Sequence, residues 1–177
     1  MPRIRVRKKI VIALGLAVGL ATVGSRAAGG ASGVRIVRMM DQCDPASFNA
    51  AIGPGTCVGN KGGVNFDTFL RVLGHAGQVG AWHFTPGEVR LQEGQAFQAV
   101  NYGGEVHTFT EVDEFGGGIV DLLNQLSGNP VPATECNPAT LEFIPPGGAS
   151  DTEVEETGVH HYQCCIHPWM RADVIVR

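Results

Sequence analysis

Hydrophobic and polar positions change their rhythm twice along the chain. Ile10 to Gly24 is an unbroken apolar run of fifteen residues. Val34 to Met39 reads as a first strand. Asp44-Pro45 has the form of a helix N-cap followed by Pro at the first helical position, opening a short helix through Ala51 that Gly53-Pro54-Gly55 ends. Asn65 can cap a second helix in which Phe66, Phe69, Leu70 and Leu73 fall at i, i+3, i+4 and i+7, with Gly74 as its expected stop. From Val79 the rhythm becomes twofold. Trp82 and Phe84 alternate, as do Val89 and Leu91, then Phe97, Ala99 and Asn101, then Val106 to Val112. Gly116-Gly117-Gly118 interrupts, Ile119 to Gln125 suits a helical turn, and residues 128–139 form a Pro-rich loop. Leu141 to Ile144 is a further expected strand before the Pro145-Pro146-Gly147-Gly148 turn, and Val154, Tyr162 and Val174 mark the last three. Short alternating strands between such turn signals predict an all-β antiparallel sandwich or barrel.

Composition supports that reading. Gly contributes 25 of the 177 residues, about twice the usual ~7%, and ten Pro accompany it. With 44% hydrophobic and 17% charged residues the chain is too apolar for disorder and too interrupted for a helical bundle. The net charge of −4 hides an asymmetry. Residues 1–28 hold six Lys/Arg and no Asp or Glu, which leaves seven basic against all 17 acidic residues in the remainder. A nucleic-acid binder with a basic face is not indicated.

The basic stretch Met1–Lys9, the apolar run and Ser25-Arg26-Ala27 have the layout of a secretory signal peptide, assigned to residues 1–27. Fifteen residues at ~1.5 Å each fall short of a ~30 Å bilayer core, so a retained anchor is the second reading. The expected organisation is a leader (1–27), a linker with a short helical N-terminal elaboration (28–78), and a β-domain (79–177). The expected location is periplasmic or secreted, where disulfides are allowed.

The chemistry concentrates in His161-Tyr162-Gln163-Cys164-Cys165-Ile166-His167-Pro168-Trp169-Met170. Cys164, His167 and Met170 form C-x2-H-x2-M, placing a thiolate, an imidazole and a thioether on one tight loop. That set suits copper. Zinc rarely takes Met, and structural zinc sites want more Cys or His nearby. Adjacent Cys164 and Cys165 point to opposite faces of an extended segment, so they cannot bridge a binuclear centre. The sets that a multicopper oxidase or nitrite reductase requires are absent. The missing second imidazole comes from His75, His83, His107, His160 or His161. His107 is the best placed, following Gly103-Gly104 at the edge of a β-pattern. His160 reads as a hydrogen-bonded structural residue, His161 as solvated, His75 and His83 as structural. Glu111, Asp113 and Glu114 read as a solvated loop, with a docking patch for a basic partner as the alternative.

Val79 to Arg177 resembles a cupredoxin of the plastocyanin or amicyanin type. The matching features are His107 after the Gly-Gly turn, the Pro146-Gly147-Gly148 turn, and the strand leading into C-x2-H-P-x-M. The resemblance implies an eight-stranded Greek-key sandwich holding one type 1 copper through His107, Cys164, His167 and a weak axial Met170. It implies a one-electron carrier rather than an enzyme, with His167 nearest the surface as the electron port. Thr108 stands where members often carry Asn, whose hydrogen bond ties the two ligand loops; Thr can substitute, and its backbone N–H remains available. A copper-binding or copper-delivery protein is the alternative function. The expected partner is a redox protein. Nucleic acid and a small-molecule substrate are not expected, and membrane contact arises only if the leader is kept. With Cys164 a ligand, Cys43, Cys57, Cys136 and Cys165 allow three pairings. Cys43 and Cys57 enclose a short helix and a turn, which makes them natural partners and leaves Cys136 with Cys165.

Overall fold

The computed structural model describes residues 33–59 and 63–177. The leader and most of the 28–33 linker lie outside the described residues. No helix among the described residues is long and apolar enough to cross a membrane.

Two mixed sheets pack around one core. The first has the order β2 (His83–Thr85), β1 (Arg35–Met40), β4 (Phe97–Asn101), with β1 antiparallel to β2 and parallel to β4. The second has the order β3 (Glu88–Leu91), β7 (Arg171–Val176), β6 (Gly158–Gln163), β5 (Thr110–Val112). Here β3 and β7 run parallel and the other pairs antiparallel. The inward positions follow the sequence alternation. Val37 and Met39 on β1, Phe97 and Ala99 on β4, and Val174 on β7 are all fully buried. Rings join the sheets: Phe109 stacks on Tyr162 at 4.4 Å between centroids, and Phe97 meets Tyr162 edge-on at 5.5 Å. This is an all-β sandwich, as the strand pattern predicts, but not a wholly antiparallel one, since β1–β4 and β3–β7 run parallel. β1 pairs with β2 and β4, so the described part of the N-terminal segment shares a sheet and a core with the chain from Val79 on.

Both expected helices of the N-terminal segment form. Asp44 caps α1 (Pro45–Ala51), accepting from the Ser47 N–H at 2.9 Å, and Asn65 caps α2 (Phe66–Ala76), accepting from the Thr68 N–H at 2.8 Å. α2 does not stop at Gly74. Its signal is Gly77, at φ 70°, which donates to the Leu73 carbonyl as a left-handed C-cap. Gly74 lies inside the helix, where a Cβ would make ordinary contact with Leu126 of α3 (Asp121–Leu126). The apolar face of α2 docks with Phe48 and Trp82, Phe69 lying 4.8 Å from the Trp82 ring.

The strands expected at Leu141–Ile144 and Val154 are not formed. Seven strands are present among the described residues, against the eight that the resemblance implies. Between them the chain follows β4 through single bridges, Val100 to Ala149 and Phe97 to Glu153, while Ile144 bridges His107. Pro145 and Pro146 lack N–H donors, which prevents a continuous ladder there.

Candidate metal centre

Two structural ties hold the site together. β4 ends at Asn101, whose side chain bonds the Glu105 and Ile144 carbonyls at 2.8 and 2.9 Å and accepts from the Gly103 N–H. This fixes the 102–105 turn that delivers His107, which is itself paired to Ile144 through both backbone groups. On the other side β6 leads into a loop that closes on itself. Cys164 N–H donates to the Met170 carbonyl at 3.0 Å, and Met170 N–H donates to the His167 carbonyl at 2.9 Å. β7 starts at the next residue.

The fold brings three of the expected residues together. Cys164 Sγ lies 3.7 Å from His107 Nδ1 and 3.8 Å from His167 Nδ1. Cys164 and His107 are fully buried, and His167 is only 3% exposed. Met170 is fully buried in the same loop. Thr108 ties the two halves twice: its N–H points at Cys164 Sγ at 3.4 Å, and its hydroxyl accepts from the Cys165 N–H at 2.8 Å. Burial pushes the Cys164 thiol up, but the two imidazoles beside it outweigh burial and hold it well below the usual thiol range.

Behind each imidazole stands a carboxylate that the sequence did not reveal. Asp41, just past β1, accepts from His107 Nε2 at 2.9 Å. It also accepts from the N–H groups of Gly104, Glu105 and Cys43. Burial alone would raise Asp41; the His107 bond and these backbone donors hold it well below the ordinary carboxylate range. Burial likewise works to lower His107, and the bonds to Asp41 and Cys164 carry it up to about 9. Glu105 Oε2 accepts from Trp82 Nε1 at 2.7 Å and sits 3.7 Å from His167 Nε2. Burial raises Glu105 despite the opposing pull of His167 and the Trp82 bond.

His167 does not present an open edge to solvent. Phe69 of α2 packs edge-on against it at 6.4 Å and Trp169 at 5.5 Å between centroids. Trp169 in turn lines a surface groove of about 310 Å³ with Gly77, Gln78, Asn129 and Arg171.

The remaining histidines lie elsewhere. His83 is exposed, with Nδ1 on the Gly80 carbonyl, and His75 is in the last turn of α2. His161 is not merely solvated: Nδ1 pairs with Asp173 at 2.7 Å. His160 is hydrogen-bonded as expected, its Nδ1 2.9 Å from Glu111 and its Nε2 2.8 Å from the Glu156 carbonyl. That corrects the reading of Glu111 as a solvated loop residue. β5 places it opposite Tyr162, and it is 6% exposed. Asp41, Cys43 and Glu105 also cluster, but Cys43 is committed to a disulfide. The disulfides are Cys43–Cys57 and Cys136–Cys165, and Cys164 is free.

No protein-family model matches the chain, and no curated protein matches it. Solved structures similar to it are cupredoxins. One is a purple cupredoxin from Nitrosopumilus maritimus, at 14% identity over 81% of this chain and 99% of that one, TM-score 0.44. Another is an oxidized amicyanin mutant, at 14% identity over 85% and 89% of the two chains, TM-score 0.40. A Cu(I) amicyanin mutant is 17% identical over 54% and 73%, TM-score 0.38.

Proposed function

We propose that this chain is an exported carrier of single electrons that holds one type 1 copper ion through His107, Cys164 and His167, with Met170 as a weak axial ligand. The observation that carries this reading is the convergence of two Nδ1 atoms on one buried thiol sulfur. A metal ~2.3 Å from sulfur and ~2.0 Å from nitrogen, with an angle near 120°, requires a sulfur-to-nitrogen distance of ~3.7 Å. The two distances are 3.7 and 3.8 Å. The donor set is soft sulfur plus imidazole, which suits copper in both oxidation states. When bound, copper supplies a one-electron couple between Cu(II) and Cu(I).

The protein's own contribution is a rigid, dry frame. Thr108 N–H donates toward Cys164 Sγ and the 164–170 loop is closed by two backbone bonds, so the donors keep their places whatever the charge between them. Burial excludes water. With Phe69 and Trp169 covering His167, the way out for an electron runs from the His167 ring to Trp169 and its groove. Export is supported by the leader and by two disulfides, which persist outside a reducing cytoplasm.

The test is titration of the mature, metal-free protein with Cu(II), followed by visible absorption and electron paramagnetic resonance. An intense sulfur-to-copper band saturating at one equivalent is expected. A colourless stoichiometric complex, or a preference for Zn(II) over copper, would refute the assignment.

A further inference from the structure

We propose that Asp41 is a positioning residue for this centre, fixing the tautomer and orientation of His107 and favouring the oxidised ion; the inference rests on the copper reading above. Asp41 is fully buried as a side chain. Its two oxygens accept from the N–H groups of Cys43 (3.2 Å), Gly104 (2.9 Å) and Glu105 (3.0 Å). Three backbone N–H groups thus donate to these two oxygens, so both act as acceptors. The one side-chain partner left, His107 Nε2 at 2.9 Å, must therefore be a donor. With the proton on Nε2, the neutral imidazole has its lone pair on Nδ1, the atom that faces Cys164 Sγ. Asp41 thus selects the form of His107 able to bind a metal. Its short, multiply anchored contact also fixes the ring plane.

The N-terminal segment supplies the pressure that keeps this arrangement closed. A Cβ on Gly103 would overlap the Asp41 carboxylate, and one on Gly104 would come within 2.7 Å of Cys43 Sγ. Val58 N–H donates to the Gly104 carbonyl at 2.9 Å. The Cys43–Cys57 loop and the Gly103-Gly104 turn therefore interlock, with Asp41 between them and His107 below. This gives residues 35–58 a part in the centre: they bring a buried negative charge to the back of one ligand. Such a charge stabilises the more positive ion, so it lowers the reduction potential.

The test compares wild type with Asp41→Asn, using Cu(II), Cu(I) and Zn(II) as probes. Asn keeps the shape and an acceptor oxygen but removes the charge. Cu(II) affinity should fall about 10–100-fold. Cu(I) affinity should fall less, and each tenfold difference between the two raises the potential by about 59 mV. A variant that matches wild type in both affinities and in potential overturns the proposal. So does one that loses only thermal stability while the potential stays fixed, since Asp41 would then be structural. If Asp41→Asn does not fold, the wild-type Zn(II) form decides. Nitrogen-15 correlation spectra should show a slowly exchanging proton on His107 Nε2, and its absence refutes the tautomer argument. A wild-type protein without a sulfur-to-copper band sinks the copper reading and this inference with it. A wild type with the band, matched by its variant, sinks this inference alone.

Discussion

Cys164 and Cys165 are neighbours in sequence with opposite fates, and removing each separately is a sharp perturbation. Successive side chains of an extended segment point to opposite faces. Cys164 enters the main core beside Tyr162 and Met170, whereas Cys165 joins a separate small cluster with Val112, Ala133 and Cys136. The bond from Cys165 to Cys136 closes a loop with a sequence separation of 29. In the chain-entropy relation, a loop of that length restrains the unfolded chain by about 3.6 kcal/mol at 25 °C. At ~2–4 °C per kcal/mol for a chain of this size, its loss lowers the melting temperature by about 7–14 °C. The assay pairs Cys136→Ser/Cys165→Ser with Cys164→Ser. The double variant should keep the sulfur-to-copper band and show the thermal loss, measured by circular dichroism on metal-free protein. Cys164→Ser should abolish the band, because a hydroxyl offers no soft sulfur donor, while peptide mapping still links Cys136 to Cys165. A double variant that bleaches, or that melts within ~2 °C of wild type, would refute this division of labour.

Met170→Leu should retain the band and raise the potential, since a weak donor to the oxidised ion is removed; complete loss of metal would show that Met170 is not axial. Gly103→Ala should destabilise the protein by about 1–3 kcal/mol or more in denaturant unfolding, because its Cβ has no space beside Asp41; wild-type stability would contradict the close approach. His160 carries a pH signature. Burial opposes its charge, but bonds to Glu111 and the Glu156 carbonyl, with Glu155 nearby, raise its folded-state value above 6.5. The stability it supplies is therefore full below ~pH 6.5 and is lost as pH rises through that raised value. The melting-temperature gap between wild type and His160→Gln should shrink on going from pH 6 to alkaline solution, and a gap that widens would reverse the assigned sign.

Legibility followed the range of the interaction. Both short helices of the N-terminal segment were visible because their determinants are local: Asp44-Pro45 and Asn65 cap them, and Phe66, Phe69, Leu70 and Leu73 line one face. The strands whose burial alternates, such as β4 and β7, were visible for the same reason. The end of α2 was misplaced because Gly74 and Gly77 are both stop signals locally. The backbone distinguishes them: Gly77 takes φ 70° and donates to the Leu73 carbonyl, whereas Gly74 stays within the helix. The missing strand at 141–144 shows the converse: its residues have strand character, but Pro145 and Pro146 directly after it have no N–H with which to continue a ladder.

The site divides along the same line. His107, Cys164, His167 and Met170 are legible as candidates because a C-x2-H-x2-M loop has few chemical uses and a Gly-Gly turn before a histidine is a local mark. Asp41 and Glu105 are not, because an acidic residue has no spacing that announces burial. Asp41 is 66 residues from His107, and the parallel pairing of β1 with β4 is what brings them together. That pairing sets Met39 opposite Asn101, so the chain leaves both strands at the same end and Asp41 meets the 103–105 turn. The glycine pair is the trace of this encounter in the sequence. It reads as a turn, yet neither Gly103 nor Gly104 has a positive φ. Their side chains are missing because Asp41 and Cys43 occupy the space. A Gly-Gly beside a candidate ligand is thus evidence of something packed against the turn, and here it is the carboxylate hydrogen-bonded to His107.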